Sequence, residues 1–235
     1  MTAVDDLGEL IDRSDVVVSV CPPDAAIAVA DEVATIGFDG IYVDANAIAP
    51  ATARTVSDRF QRFVDGGIIG PPAVRPGTTR MYLSGVDATT VAELWDGSML
   101  DVRTIDGGPG AASAMKIAYA TWTKVSSALL LAVRSLARTE GVEEALLTEW
   151  AISQPGAAQR SEATARATAP KAWRFDGEMA EIGAAFAADG LPAGFGEAAR
   201  EIYARMAAFK GVDDATLDDV LDRLAGVTSG VRHQM

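Results

Sequence analysis

The sequence is short of the residues from which many reactive sites are made. It has one cysteine, Cys21, and one histidine, His233. A single cysteine excludes an intrachain disulfide, so nothing in the chain marks an oxidising compartment. One cysteine and one histidine cannot by themselves build a zinc site. His233 stands close to the C-terminus, in a tail expected to fray. Acid–base chemistry in the core must therefore use Lys, Tyr, Asp, Glu or water. Positive charge is scarce as well: 20 Lys and Arg face 33 Asp and Glu, a formal net charge of −13. Such a balance excludes the electrostatic footprint of a nucleic-acid binder and argues against anionic membranes, while solubility accounts for the acidity. Long uncharged apolar runs are missing too. The most apolar stretch, 111–136, is interrupted by Lys116 and Lys124 and reads as a buried helix rather than a membrane span. The opening MTAVDDLGELIDRSD is acidic and carries no signal-peptide pattern, which leaves the cytoplasm as the expected compartment.

What is present is the composition of an ordinary globular protein, 49% hydrophobic and 23% charged. The first half alternates short β-like runs with helical patterns. A Val-rich run, 15–21, ends at Pro22-Pro23 and reads as a buried parallel strand. A helix is predicted over 24–36 with Asp24 as its N-cap, then a strand at 41–43, then a helix over 51–60 opened by Pro50. Phe63-Val64-Asp65 leads into a glycine-rich loop at Gly66-Gly67, and further strands are predicted at 81–84 and 101–105, with a short helix between them. The breaker cluster Gly107-Gly108-Pro109-Gly110 closes this part. Beyond it the pattern is helical throughout, over 111–139, 142–153, 157–167, 175–188, 193–209 and 214–225, with breaks at Gly141, Pro155-Gly156, Pro170, Gly190 to Pro192 and Gly211. The expected organisation is an α/β domain over 1–110 with a parallel sheet, followed by an all-α domain over 111–235.

Lys116 is the most informative residue. It lies about one turn into an almost uncharged helix, just after the glycine cluster. Burial there lowers the proton affinity of an amine and suits it to proton transfer; the alternative is a lysine whose head reaches the surface. Tyr119 shares its helical face, either as a relay or as a core tyrosine, and Thr123 and Lys124 fall two turns on and in line. Asn46 follows a strand end, where ligands of open α/β sheets sit, although turn chemistry also favours asparagine there. The segment Gly70 to Arg80, with Arg75 and Arg80, could clamp an anion or be a plain solvated loop. Cys21 has no basic partner near it in sequence and reads as structural.

Four motifs in order, the strand ending at Pro22, VDANAIAP, DGGIIG and GPGAASAMK, resemble the β-hydroxyacid dehydrogenases, the group of 3-hydroxyisobutyrate and 6-phosphogluconate dehydrogenases. The match runs from about Leu7 to Leu131. The stretches 66–85 and KIAYATWTK look closest to an uncharacterised branch grouped with 6-phosphogluconate dehydrogenase through its C-terminal domain. The resemblance implies a Rossmann-like α/β domain and a helical domain used for homodimerisation. It implies NAD or NADP as cofactor, with Cys21, Pro22 and Asn46 beside the nicotinamide end. It implies a small hydroxy acid or related carbonyl compound as substrate, held by Gly67, Ile69, Gly70 and Lys124. Lys116, assisted by Tyr119, is implied as the acid–base pair.

The sequence departs from the family in three places. The asparagine usual one turn after the lysine is Ala120 here, so Tyr119 or Thr123 would substitute. The serine common in the substrate loop is Ile69, and Pro71-Pro72 lack N–H donors. No G-x-G-x-x-G turn precedes Asp15, as though the first two β–α units, on the order of fifty to sixty residues, were missing from the Rossmann-like sheet. On this reading the Val-rich strand becomes a sheet edge, dinucleotide binding is weak or absent, and the chain is a shortened frame, a fragment or a protein completed by another chain. Two alternatives stand beside the oxidoreductase: a non-catalytic helical dimerisation module, and a small-molecule binder using the 70–80 loop.

Overall fold

A computed structural model describes residues 3–226; His233 and its tail lie outside the described residues. The chain divides into two compact units. The first runs to Tyr119 and includes Ala184–Leu191; the second takes Ala120–Gly183 and continues from Pro192.

The first unit begins with a helix that the sequence reading did not foresee, α1 (Leu7–Asp12). Its cap explains it: the Asp6 side chain accepts from the Glu9 backbone N–H at 2.9 Å, satisfying one of the otherwise orphaned donors of the first turn. There follow β1 (Val16–Ser19), α2 (Ala26–Ile36), β2 (Ile41–Asp44), α3 (Pro50–Ser57), β3 (Phe63–Ile69), β4 (Arg80–Ser84), α4 (Ala88–Glu93), β5 (Asp101–Thr104) and α5 (Ala111–Ala120). Asp24 does not cap α2. Pro23–Ala25 form a 3-10 turn, so Asp24 sits within a turn and Ala25 takes the cap position. Pro50 does open α3, where its missing N–H costs nothing.

The five strands lie in the order β1-β2-β3-β4-β5. β1, β2 and β3 run parallel, and β5 runs parallel to β4, but β4 is antiparallel to β3. The expected all-parallel sheet is thus mixed, because β3 and β4 are joined directly by the 70–79 loop with no crossover helix. One sheet face packs Val17, Tyr42 and Phe63 against Ala30, Val33 and Val56, with the Tyr42 and Phe60 rings stacked at 4.1 Å. The other packs Ile41, Val43, Val64, Met81 and Leu83 against Ala88 and Val91.

Among its described residues the second unit holds helices and no strand: α6 (Ser126–Thr139), α7 (Glu143–Ser153), α8 (Ala157–Thr168), α9 (Asp176–Ala188) as far as Gly183, α10 (Gly194–Met206) and α11 (Leu217–Leu224). Pro170 falls in the first turn of a 3-10 segment, Ala169–Arg174, where proline is tolerated. The predicted uninterrupted helix over 111–139 is instead α5, a π-helical turn at Thr121–Val125, and α6. The α-helical spacing that put Thr123 and Lys124 in line with Lys116 does not hold through such a turn. Arg134, buried on α6, ties the helices by donating to Ser161 Oγ and to Glu143, each at 2.6 Å. Among the described residues no helix is long and apolar enough to cross a membrane.

Candidate functional site

The register of the sheet sets four polar residues side by side. Ser19 on β1 pairs with Asp44 on β2, Asp44 with Asp65 on β3, and Asp65 with Ser84 on β4. All four are buried, and the two aspartates are wholly so. Like charges directly opposite on neighbouring strands repel, and burial penalises each of them further. The row lies toward the carboxyl ends of β1 and β2, the region in which open α/β sheets bind their ligands.

Each aspartate is held by a separate set of donors. Asp65 sits at the start of α5: it accepts from the Ser113 backbone N–H at 2.9 Å and from Ser113 Oγ at 2.6 Å. Ser84 Oγ donates to the Gly108 carbonyl at 3.1 Å and accepts from the Ala112 N–H at 3.0 Å, fastening the same helix end. A carboxylate at a helix N-terminus answers the positive end of the helix dipole. Even so, burial leaves the Asp65 carboxyl above its ordinary range, with the Ser113 hydrogen bonds opposing the rise. Asp44 accepts from the Asn46 backbone N–H at 3.0 Å and from Asn46 Nδ2 at 2.9 Å. Burial pushes it up to about 6; the Asn46 bonds and the charge of Lys116 act downward, and Asp65 acts upward.

Lys116 comes close to β3, the strand that carries Asp65, because of a glycine. Gly67 lies on the same face of β3 as Asp65, and a Cβ built on it would stand 3.0 Å from both the Ala112 carbonyl oxygen and Lys116 Cβ. Any side chain there would hold α5 off the sheet. Gly66 does the same for the strand pair, since a Cβ on it would come within 2.9 Å of the Asp44 carbonyl oxygen. The two glycines expected in a loop are therefore inside β3, where they permit close backbone approach.

The remaining candidates divide between the units. Cys21 and Asn46 belong to the polar cluster: the Cys21 N–H donates to Asn46 Oδ1 at 2.6 Å, and Asn46 Nδ2 donates to Ser19 Oγ at 3.1 Å. Both amide hydrogens of Asn46 are thus engaged, and the side chain clasps the ends of β1 and β2. Cys21 is half-buried, and burial pushes its thiol up, the opposite of what activates a nucleophile. Pro22 is exposed beside it, Ile69 ends β3 buried, and Gly70 opens the exposed loop. Lys116 is half-buried and Tyr119 exposed on α5. Lys124 lies in the helical unit, ion-paired with Glu178, with Nζ 4.7 Å from the centroid of the Phe175 ring. The sequence reading missed Asp44, Asp65, Ser84 and Ser113. A signal was available, because both IYVD and FVD are apolar strands that run into an aspartate.

A dinucleotide needs free backbone N–H groups at a helix start for its pyrophosphate. The turn after β1 has Pro22 and Pro23, and the Cys21 N–H is taken by Asn46. The glycine-rich turn 107–110 ahead of α5 leads to a helix end already filled by the Asp65 carboxylate. Neither turn fits the pyrophosphate.

Residues 137–206 match the family model of a domain of unknown function, DUF1932. An uncharacterized 28.5 kDa protein from Methanothermus fervidus is 31% identical over 144 residues, which span 60% of this chain and 55% of that protein. The chain therefore covers little more than half the length of this curated relative. Among solved structures, a conserved protein of unknown function described as similar to 3-hydroxyacid dehydrogenases aligns at 25% identity and a TM-score of 0.67, over 89% of this chain and 81% of that one. A conserved hypothetical protein from Sinorhizobium meliloti aligns at 25% identity and a TM-score of 0.72, over 96% and 79%. The 3-hydroxyisobutyrate dehydrogenase of Mycobacterium tuberculosis, solved with L-serine, shares the fold at 19% identity and a TM-score of 0.63, over 94% and 83%.

Proposed function

From a fold that is 3-hydroxyacid dehydrogenase-like, a mixed sheet unit followed by a helical region, we propose an oxidoreductase lineage acting on a small hydroxy acid or related carbonyl compound, with NAD or NADP as the redox partner of intact relatives. The observation that carries this reading is Lys116, seated on Gly67 over the carboxyl end of a sheet whose buried row holds two aspartates. A half-buried amine at that position is suited to take a proton from a hydroxyl group or give one to a carbonyl oxygen. Gly67, Ile69 and Gly70, along β3 and into its loop, form the substrate side. Cys21, Pro22 and Asn46 line the cofactor side, with Asn46 acting by holding the strand ends. Tyr119 is the neighbour that assists Lys116. The lack of a fitting phosphate cradle in the two turns supports weak dinucleotide binding by this chain alone.

The test has two steps. Purified protein is titrated with NADH and NADPH by nicotinamide fluorescence, then assayed on a panel of hydroxy acids with and without Lys116→Ala. Turnover lost in the variant supports the lysine role; a Lys116→Ala protein as active as wild type removes it. No binding at millimolar cofactor would mean that the chain by itself is not a working dehydrogenase.

A second reading, association through the helical unit, is favoured by its surface. A groove of about 550 Å³ runs along Trp122, Leu129, Leu130 and Val133, facing Trp150 and Arg160. Trp122, Leu129, Leu136 and Ile152 are all strongly exposed, and apolar surface of this extent marks interaction sites. A second copy of the chain is the proposed occupant, and the mass in solution by light scattering checks it: a monomer at micromolar concentration sinks the proposal.

A further inference from the structure

We propose that Asp44 is the positioning residue for Lys116: the carboxylate at the end of β2 and the ammonium on α5 form an electrostatic couple over the Gly67 gap, each fixing the charge state of the other. The proposal rests on the acid–base reading of Lys116 given above and extends it to Asp44, a residue to which the sequence motifs assigned no role.

The geometry restricts both partners. α5 cannot rise from the sheet without breaking the Asp65–Ser113 and Ser84–Ala112 bonds at its start. It can approach because Gly67 has no side chain, and that contact falls on Lys116 Cβ itself. Asp44 cannot turn away, because Asn46 holds both of its oxygens and is in turn held by Ser19 and the Cys21 N–H. The two buried carboxylates are not equivalent. Asp65 spends its charge on a helix start, whereas Asp44 is clasped by Asn46. Among the described residues, the titratable groups that act on Asp44 or feel its charge are Cys21 beyond β1, Tyr42 on its own strand, Asp65 on β3 and Lys116 on α5. Cys21 and Tyr42 are both neutral near pH 7, since burial raises the thiol and pushes Tyr42 up to about 12. Asp65 repels. Lys116 is the cation of the set, and it acts on Asp44 in the direction expected of a partner. An ionised Asp44 in turn favours the ammonium form of Lys116, the form that donates a proton to a carbonyl oxygen.

The experiment reads charge directly and needs no substrate. Protein carrying isotope-labelled lysine is titrated by NMR, with its lysine side-chain signals assigned by Lys→Arg replacement. In Asp44→Asn the Lys116 midpoint should move to lower pH while those of Lys171 and Lys210 stay in place. Coincident Lys116 titrations in folded wild type and folded Asp44→Asn overturn the proposal. The second arm keeps Asp44 in place: Lys116→Met should raise the midpoint of the labelled Asp44 carboxyl carbon, as reciprocal coupling requires, and an unmoved midpoint overturns the proposal even where Asp44→Asn does not fold. Coupling without turnover on any hydroxy acid would sink the dehydrogenase reading and leave the couple standing. Lys116-dependent turnover with uncoupled titrations would do the reverse.

Discussion

In the sheet unit the buried polar residues include two aspartates on adjacent strands, joined by Ser19, Asn46, Ser84 and Ser113; in the helical unit the described buried polar residues are Arg134, Ser135 and Ser161. The helical unit answers its buried charge completely at the level of sign. Arg134 meets Glu143, which Arg138 also binds, and Arg138 goes on to Asp218. The sheet unit places like charges side by side, and burial pushes one of them, Asp44, up to about 6. In pairing of the first kind each buried charge meets an opposite one, so that removing one partner would leave the other uncompensated. Unbalanced charge of the second kind weakens a fold and is kept where chemistry uses it.

The largest expected effect concerns the penalty of the unbalanced row. The folded-state value of Asp44 is raised, from 3.8 to about 6. The native state therefore holds the proton more tightly than the unfolded chain. This group's destabilising effect is absent below about pH 4 and is fully present above about pH 6, amounting to about 3 kcal/mol. Urea unfolding at pH 4.5 and pH 7.5 should show a steeper loss of stability with rising pH in wild type than in Asp44→Asn. Parallel pH dependences in the two proteins would put the charge elsewhere. Next, Arg134→Met removes one buried and one part-buried hydrogen bond from the helical unit and should cost about 2–3 kcal/mol at any pH between 5 and 8. A cost that varies with pH across that range would erase the contrast between the units. Gly67→Ala should cost about 1–2 kcal/mol by overpacking α5 against β3, and should lower any Lys116-dependent turnover by more than its small loss of stability explains. Smallest of all, Trp122→Ala, at a side chain 75% exposed, should change unfolding by no more than about 0.5 kcal/mol. If the proposed association holds, it should nonetheless weaken the dimer measured by sedimentation.

The elements were legible where local physics decides them. Alternating β-like and helical patterns gave four of the strands, the first residues of β3 and most of the helices, because burial of one face imposes a period. The turn to helix after Gly110 was legible for the same reason, and Lys116 stood out as a charge in an apolar helix. Elements set by two or three residues were not legible: the Asp6 cap of α1, the 3-10 turn at Pro23–Ala25, and the π-helical turn at Thr121–Val125. Gly66 and Gly67 resemble a loop in sequence, and only their neighbours across the sheet show that the strand runs through them.

By itself, then, the sequence determined the class of fold, the order of its elements and the place of a lysine in an almost uncharged helix, since these follow from periodicity and from the cost of burying charge. Tertiary structure alone decided that Ser19, Asp44, Asp65 and Ser84 share one level of the sheet, that β4 turns back against β3, and that Lys116 meets Gly67. Those facts depend on strand register and on helix approach, which bring together residues dozens of positions apart, and no local pattern records such distances.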